Sequence, residues 1–180
     1  MWIKTENKGW IIKKMEEEIL DENVINSTKL NFRNSFKTLI QINHLCKSLS
    51  RNKVLERINL SQNNIGDAEI KSIAEALKEN STLTSMDLSA NKINTDGCKE
   101  LCDLILLKPS LIELDLSGSL VGDSGFIIIC EMLKDNKTIE ILNIASNNIG
   151  DYRIDSLCEY IQSSPSLKTL NLHCNSIGDL

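Results

Sequence analysis

The sequence predicts a curved, right-handed α/β solenoid with parallel strands on its concave face and helices on its convex face. Three observations favour this fold class. Similar segments return every 28 residues without insertion, each contains a short alternation of apolar and polar residues, and each alternation is followed by an apolar pattern of helical period. Units of this kind bury their apolar side only against the adjacent unit, so they stack into an open array.

The phase of the repeat divides the chain into two regions. Repeats begin at residues 27, 55, 83, 111, 139 and 167, and the last one is incomplete. The copy at 27 is degenerate, but three of its residues keep the register: Leu30, Phe32 and Ser35. We therefore expect an N-terminal capping region over residues 1–26 and the repeats over residues 27–180.

The first part of each unit predicts a short strand. In the repeat at 55, Leu55 is followed by apolar residues at Ile58 and Leu60 with a polar residue between them. A period of two places those two side chains on one face of a strand. The equivalent strands of successive units are predicted to pair in parallel, with the polar residues facing the concavity.

An asparagine follows each strand where the chain must turn. The column contains Asn63, Asn91, Asn147 and Asn175, with Ser35 and Ser119 as substitutes. A buried amide side chain can satisfy both the N–H and the C=O groups that a turn inside the stack leaves unpaired. A serine can do only part of this, so the repeats at 27 and 111 are predicted to be looser.

The second part of each unit predicts a helix. Apolar residues such as Ile70, Ile73 and Leu77 have the spacing of one helical face. Prolines just past two of the helix ends, Pro109 and Pro165, cannot continue a helix. Residues of good N-cap type occupy one column before the helices, and we expect them to act as N-caps: Asp67, Thr95, Asp123 and Asp151.

The pattern L-x-x-L-x-L-x-x-N-x-I resembles the leucine-rich repeat. The long unit and the junction Asn64-Ile65-Gly66-Asp67 resemble the ribonuclease-inhibitor-like subclass, which occurs in ribonuclease inhibitor, Ran GTPase-activating protein and NOD-like receptors. The resemblance covers residues 27–180. It implies the fold and a full convex helix in each unit, and it says little about function.

Composition argues against several function classes. The formal net charge is −5 and aromatic residues make up 4% of the chain, whereas nucleic-acid binding needs a concentrated basic surface. Apolar runs such as residues 126–130 are far too short to cross a bilayer. The first residues also lack the apolar core of a signal peptide. We expect a cytoplasmic protein that binds neither nucleic acid nor a membrane.

The cysteines are interpreted as packing residues. Cys46, Cys102, Cys130 and Cys158 share one column, where a small apolar side chain suits neighbouring helices. Helix axes about 8–10 Å apart are too distant for disulfides, so we expect these thiols to be reduced. Cys98 and Cys102 lie four residues apart, but no further ligand completes a zinc site. Cys174 follows the last strand and is a candidate exposed thiol.

No catalytic, cofactor-binding or metal-binding residue is predicted. His173 projects from the last strand, but its neighbouring concave positions offer Asn143, Ala145 and Asn171 rather than a nucleophile. We therefore expect no enzyme activity and no cofactor.

The favoured function is a non-enzymatic protein-interaction module, acting as a scaffold, adaptor or sensor, with another protein as partner. Two alternatives stay open: a GTPase-activating or other regulatory protein of the Ran GTPase-activating type, and a microbial effector that targets a host protein. The candidate partner-binding residues all belong to the predicted concave face: Arg57, Asn59, Asp87, Glu113, Asp115, Ile141, Asn143 and His173.

Both ends of the array need cover for their apolar side. Residues 8–25 carry an apolar stripe and predict an amphipathic capping helix, a membrane-surface helix being disfavoured by its mixed charges. The stripe consists of Ile11, Ile12, Met15, Ile19 and Leu20. The last repeat shows no equivalent cap, which predicts self-association of the chain through this repeat or loss of order beyond about residue 165.

Overall fold

The computed structural model describes residues 2–5, 9–12, 21–36, 38–151 and 162–178. Within them, short strands alternate with helices in the order that the repeats predict. The strands are β1 (Trp2–Thr5), β2 (Gly9–Ile12), β3 (Lys29–Asn31), β4 (Arg57–Asn59), β5 (Ser85–Asp87), β6 (Glu113–Asp115), β7 (Ile141–Asn143) and β8 (Thr169–Asn171). The helices are α1 (Asp21–Ile25), α2 (Leu39–Leu49), α3 (Asp67–Leu77), α4 (Thr95–Leu106) and α5 (Gly122–Asp135).

Strands β3 to β8 form one parallel sheet in which the spatial order equals the chain order. Each residue pairs with the residue one repeat later, so Arg57 is opposite Ser85, and Ser85 is opposite Glu113. This register confirms the predicted repeat. The helices between the strands lie alongside the sheet, and the molecule is the predicted α/β leucine-rich-repeat solenoid.

The core lies between the sheet and the helices. The middle strand residues Ile58, Met86, Leu114 and Leu142 are at most 2% exposed. The predicted helix face is confirmed for α3, α4 and α5, whose inward residues are buried: Ile70, Ile73, Leu77, Cys98, Leu101, Ile105, Phe126, Ile129 and Leu133. The corresponding residues of the next unit, Ile154, Leu157 and Ile161, lie outside the described residues.

The asparagine column forms a buried ladder between the turns. The Asn63 Oδ1 accepts the backbone N–H groups of Ser35 and Phe36 at 2.7 and 2.8 Å. Its Nδ2 donates to the carbonyl oxygens of Phe32 and Leu60, both at 2.8 Å. The same pattern of bonds to the preceding repeat recurs at Asn91, Asn147 and Asn175. The predicted dual role of the amide is confirmed.

Ser119 interrupts this ladder. Its side chain is buried, at 6% exposure, and within the described part of the chain its hydroxyl has no hydrogen-bond partner. The short side chain does not reach the backbone of the preceding turn, where an asparagine would bind.

A second polar ladder, which sequence reasoning missed, lies where the helices lead back into the strands. The Asn80 Oδ1 accepts the N–H groups of Thr82 and Leu83 at 3.1 and 2.9 Å, and Asn52 and Asn136 make the equivalent bonds. Lys108 lies in this column between Asn80 and Asn136, is 3% exposed and donates from Nζ to the carbonyl oxygens of Lys78 and Asn80. Burial lowers the pKa of this ammonium group.

The prediction that Asp67, Thr95 and Asp123 cap their own helices is wrong. The residue before α3 is Gly66, and the residue before α4 is Asn94, whose side chain caps that helix. Asp67 instead reaches into the next repeat, where its Oδ1 accepts the N–H groups of Asn94 and Gly97 at 3.0 Å each. Because the units stack in register, a carboxylate in the first turn of one helix lies beside the free N–H groups of the next helix.

The aspartates of two later repeats have the same role. The Asp123 Oδ1 accepts the N–H of Gly150 at 2.6 Å, and the Asp151 Oδ1 accepts that of Gly178 at 2.7 Å. Thr95, in the same column, makes no such bond among the described residues. The three aspartates therefore join neighbouring repeats. The helix that Asp151 was predicted to cap lies outside the described residues.

The predicted N-terminal helix over residues 8–25 is wrong in its first part. Residues Gly9–Ile12 form strand β2, which pairs antiparallel with β1, and β1 lies beside β3. Aromatic and β-branched residues around Trp10 and Ile11 favour a strand over a helix. Residues Asp21–Ile25 are helical, whereas Met15, Ile19 and Leu20 lie outside the described residues. The division of the chain at residue 26 stays a prediction.

The cysteines lie as the packing interpretation requires. Cys98, Cys102 and Cys130 are buried free thiols between α4 and α5, and Cys46 is a partly buried free thiol on α2. Burial raises the pKa of each of the first three to about 12 and that of Cys46 to about 11. The predicted exposure of Cys174 is confirmed, and Cys158 lies outside the described residues.

The last repeat is less buried than the one before it. Its apolar residues Leu167, Leu170, Leu172 and Ile177 pack against the core but are only partly buried. Their counterparts Ile139, Leu142, Ile144 and Ile149 are 0% exposed. Self-association through this repeat stays a prediction.

Candidate protein-interaction face

The concave face carries three columns of side chains, each with one residue per repeat. The first column contains Lys29, Arg57, Ser85, Glu113, Ile141 and Thr169. The second column contains Asn31, Asn59, Asp87, Asp115, Asn143 and Asn171. The third column follows the strand ends and contains Arg33, Ser61, Ser89, Ser117, Ala145 and His173.

Hydrogen bonds hold the two aspartates of the second column in fixed orientations. The Asp87 Oδ1 accepts the N–H and the hydroxyl of Ser89 at 2.9 and 2.7 Å, and its Oδ2 accepts the Asn59 amide at 2.6 Å. Three donors therefore fix this carboxylate, and a charge-assisted bond is stronger than a neutral one.

Asp115 has the equivalent hydrogen bonds, except that its amide partner belongs to the following strand instead of the preceding one. Its Oδ1 accepts the N–H and the hydroxyl of Ser117 at 2.8 and 2.6 Å, and its Oδ2 accepts the Asn143 amide at 2.9 Å. Asn59, Asp87, Asp115 and Asn143 thus form a row, which we name the aspartate row. The two carboxylates lie at its centre and the two amides at its ends.

Asp87 and Asp115 are direct partners in the strand register. Adjacent strands are about 4.8 Å apart, so two negative charges lie side by side, an arrangement that costs free energy in a sheet. Both side chains are half-buried. The sequence identified both residues but not this arrangement, because a column of Asn and Asp predicts only a polar surface.

The first column is the most accessible part of the face. Arg57, Glu113 and Ile141 are exposed, and Ile141 retains 40% of its surface. All eight residues proposed from sequence therefore lie on one face, and their role in binding stays a prediction. His173 is exposed at the C-terminal end of the third column, two strands away from Ser117.

Ile112 is a further candidate that the sequence reading missed. Its side chain is 40% exposed, and its carbonyl oxygen accepts the N–H of Ile141 at 3.1 Å, so the backbones of the two residues are adjacent. The signal was present in the sequence, since the other repeats have polar residues at this position: Thr28, Glu56, Thr84, Glu140 and Lys168.

On the convex surface, an open groove of about 810 Å³ lies between α2 and α3. Cys46 and Ala76 lie in it, and the lysines Lys47, Lys71 and Lys78 line it together with glutamates. Lys71 and Lys78 already form ion pairs with Glu100 and Glu75. The groove therefore has no dominant charge to select a ligand.

Across the described ranges, no group of His, Cys, Asp and Glu is placed to hold a metal ion. The helices of the same ranges are all too short or too polar to span a membrane.

Comparison with known proteins agrees with the fold. A family model described as Leucine Rich repeat matches residues 51–74, 79–102, 135–151 and 163–180. No curated protein is significantly similar to the chain in sequence.

Two solved structures share the architecture. The structure of leiomodin-1 actin-binding site 2 superimposes with a TM-score of 0.69 at 23% identity, covering 84% of this chain and 90% of its own. The tropomodulin C-terminal domain from Caenorhabditis elegans gives a TM-score of 0.64 at 14% identity, covering 81% of this chain and 84% of its own. At these identities the likeness shows the fold alone.

Proposed function

We propose that this chain, a leucine-rich-repeat protein by fold and by repeat sequence, is a non-enzymatic protein-interaction module of the cytoplasm. The observation that carries the proposal is the concave face, where strand register gathers Arg57, Glu113 and Ile141 as accessible residues beside the aspartate row. Six strands at about 4.8 Å span roughly 25 Å, which suits a small contact with one partner segment.

The polar groups of the face support a binding role rather than catalysis. The hydroxyls of Ser89 and Ser117 donate to the neighbouring aspartates at 2.7 and 2.6 Å, so they serve the aspartate row. His173 lies beside Ala145 in the third column, without a nucleophile next to it on the strand before.

We also assign the repeats to the ribonuclease-inhibitor-like subclass as part of this proposal. The unit of 28 residues and the helices of 11 to 14 residues in α2 to α5 support it. Shorter leucine-rich repeats have less room for a full convex helix.

Affinity capture tests the proposed function. The wild-type chain and two triple variants are immobilised and exposed to cell lysate, and purified actin serves as the first defined probe because one similar fold is leiomodin-1 actin-binding site 2. The test variant combines Arg57→Ala, Glu113→Ala and Ile141→Ala. The matched control combines Lys99→Ala, Asp103→Ala and Leu106→Ala, which removes one basic, one acidic and one apolar exposed side chain from α4.

We expect the wild type and the control to recover the same proteins and the test variant to lose them. Equal recovery by all three chains would contradict the concave face as the contact surface. Recovery of no protein by the wild type would contradict the interaction function itself.

A further inference from the structure

We infer that the concave face selects a helical partner segment whose charges run opposite to its own, with an acidic side chain over β3 and β4, a basic one over β5 and β6, and an apolar one beside β7. The inference rests on the proposed function and names the chemistry of the partner.

Charge is segregated along the strand order of the face. Lys29, Arg33 and Arg57 belong to the first two repeats and form what we name the basic end. Asp87, Glu113 and Asp115 belong to the next two repeats and form the acidic centre. Since the strands lie in chain order in the sheet, the positive side chains are at one end of the face and the negative side chains are at its centre.

The acidic centre lacks a counter-charge of its own. Throughout the described ranges, no lysine or arginine lies within ion-pairing distance of Asp87, Glu113 or Asp115, whereas convex carboxylates such as Glu100 pair with lysines. The repulsion between the paired Asp87 and Asp115 adds to this imbalance. A cationic partner group placed between them would therefore gain free energy from both carboxylates.

An apolar side chain lies next to the acidic centre. Ile141 is 40% exposed and pairs with Glu113 in the register. A partner segment that places a charge over the acidic centre brings a neighbouring apolar side chain onto Ile141. Burial of that side chain adds to the affinity.

The dimensions of the face fit one α-helix that crosses the strands. From the first to the third column the chain advances by four extended residues, about 13 Å, and a helix with its side chains is about 10–12 Å wide. Two strand steps from Arg57 to Glu113 measure about 10 Å, and three steps to Ile141 about 14 Å. A helix matches these with an acidic residue at i, a basic residue at i+7 and an apolar residue at i+10 or i+11.

A phage-displayed library of 18-residue helical segments, randomised along one face, tests the inference against the full chain. We expect the binders to share the acidic, basic and apolar order at the spacing just given. The affinity of a synthetic binder is then measured by fluorescence anisotropy at about 50 and 300 mM salt, and the higher salt should weaken binding because it screens exposed charges.

Substitution of the acidic centre, with Asp87→Asn, Glu113→Gln and Asp115→Asn, should weaken this binding at least tenfold. The fold should tolerate it, because Asn59 and Asn143 in the same column already accept the N–H groups of Ser61 and Ala145 at 2.9 and 3.2 Å. The matched control, with Asp103→Asn, Glu131→Gln and Asp135→Asn, makes the same change of charge on exposed convex residues and should stay within twofold of the wild type. A binder whose acidic residue is replaced by lysine should recover affinity on an Arg57→Glu chain.

Three outcomes would overturn the inference. The selected binders could lack the charge order, the acidic-centre variant could bind them as tightly as the wild type does, or the selection could yield no binder. An empty selection would not contradict the proposed function, because the capture experiment tests that function with folded partner proteins. Failure of the inference and failure of the proposed function are therefore distinguishable.

Discussion

Among single residues, Ser119 is the weak point of the asparagine ladder. We predict that Ser119→Asn raises the free energy of unfolding by about 1–2 kcal/mol, since the new amide can bind the backbone of the preceding turn as Asn63, Asn91 and Asn147 do. Urea denaturation measures the change. Ser124→Asn, an exposed position on α5, is the control and should be neutral. An equal or lower stability for Ser119→Asn would mean that the turn at 111 cannot hold the larger side chain.

The two polar ladders differ in how far sequence could predict them. Asn63 and its repeats were predictable because a buried turn needs both a donor and an acceptor. The ladder through Asn52, Asn80 and Asn136 shows the same spacing, but Lys108 interrupts it, and a lysine predicts an exposed side chain. Only the stacked backbone shows that its ammonium group reaches the carbonyl oxygens at the end of α3.

Between neighbouring helices, the Asp67 carboxylate joins α3 to the start of α4 through two hydrogen bonds. We predict that Asp67→Ala lowers the free energy of unfolding by about 1–2 kcal/mol, a typical cost of losing a helix cap, because the N–H groups of Asn94 and Gly97 lose their acceptor. Thermal or urea denaturation measures it. Thr95→Ala, in the same column, should change the stability far less, and a similar loss in both variants would contradict the proposed link between repeats.

The close approach of Asp67 also explains why residue 97 is a glycine. A Cβ there would lie 2.5 Å from the Asp67 Oδ1 and 2.8 Å from the Ile93 Cγ2. Sequence alone assigned Asp67 to its own helix, because N-cap preferences describe one helix and contain no information about the next repeat.

The thiols between α4 and α5 predict a loss of stability at alkaline pH. Burial raises the pKa of Cys98, Cys102 and Cys130 to about 12, above the ordinary value of 9.0, so the folded chain keeps protons that the unfolded chain releases. The free energy of unfolding should therefore fall as the pH rises above 9, by roughly 1 kcal/mol per thiol at pH 10. The lowered pKa of Lys108 acts in the opposite direction.

Urea denaturation at pH 8, 9 and 10 measures this dependence. A variant with Cys98→Ala, Cys102→Ala and Cys130→Ala is less stable at pH 8 because it loses packing, but its stability should change less between pH 8 and 10. Equal slopes for the two chains would contradict the assignment of the alkaline loss to these thiols.

For the complete molecule, the repeat phase predicted the sheet order, the register and the core, because each unit packs only against its neighbours. The N-terminal segment carried no repeat, and there Ile11 and Ile12 fitted a helical stripe as well as the strand they form. The candidate face was predictable as a set of residues. The aspartate row depends on side-chain directions across strands, which a pattern in one strand does not contain.

The stacking of in-phase units is the central claim, and distances between helices test it most directly. Lys47, Glu75, Asp103 and Glu131 are exposed and occupy one position on α2, α3, α4 and α5. The background chain has Cys158 and Cys174 replaced by serine. Spin labels are attached at residue 47 and at one of the other three positions, and double electron–electron resonance measures the distance between the two labels. We predict that the distance grows by about 8–10 Å per repeat, reaching roughly 24–30 Å at residue 131. Distances that stay constant or shorten from residue 75 to residue 131 would show a closed arrangement and contradict the solenoid.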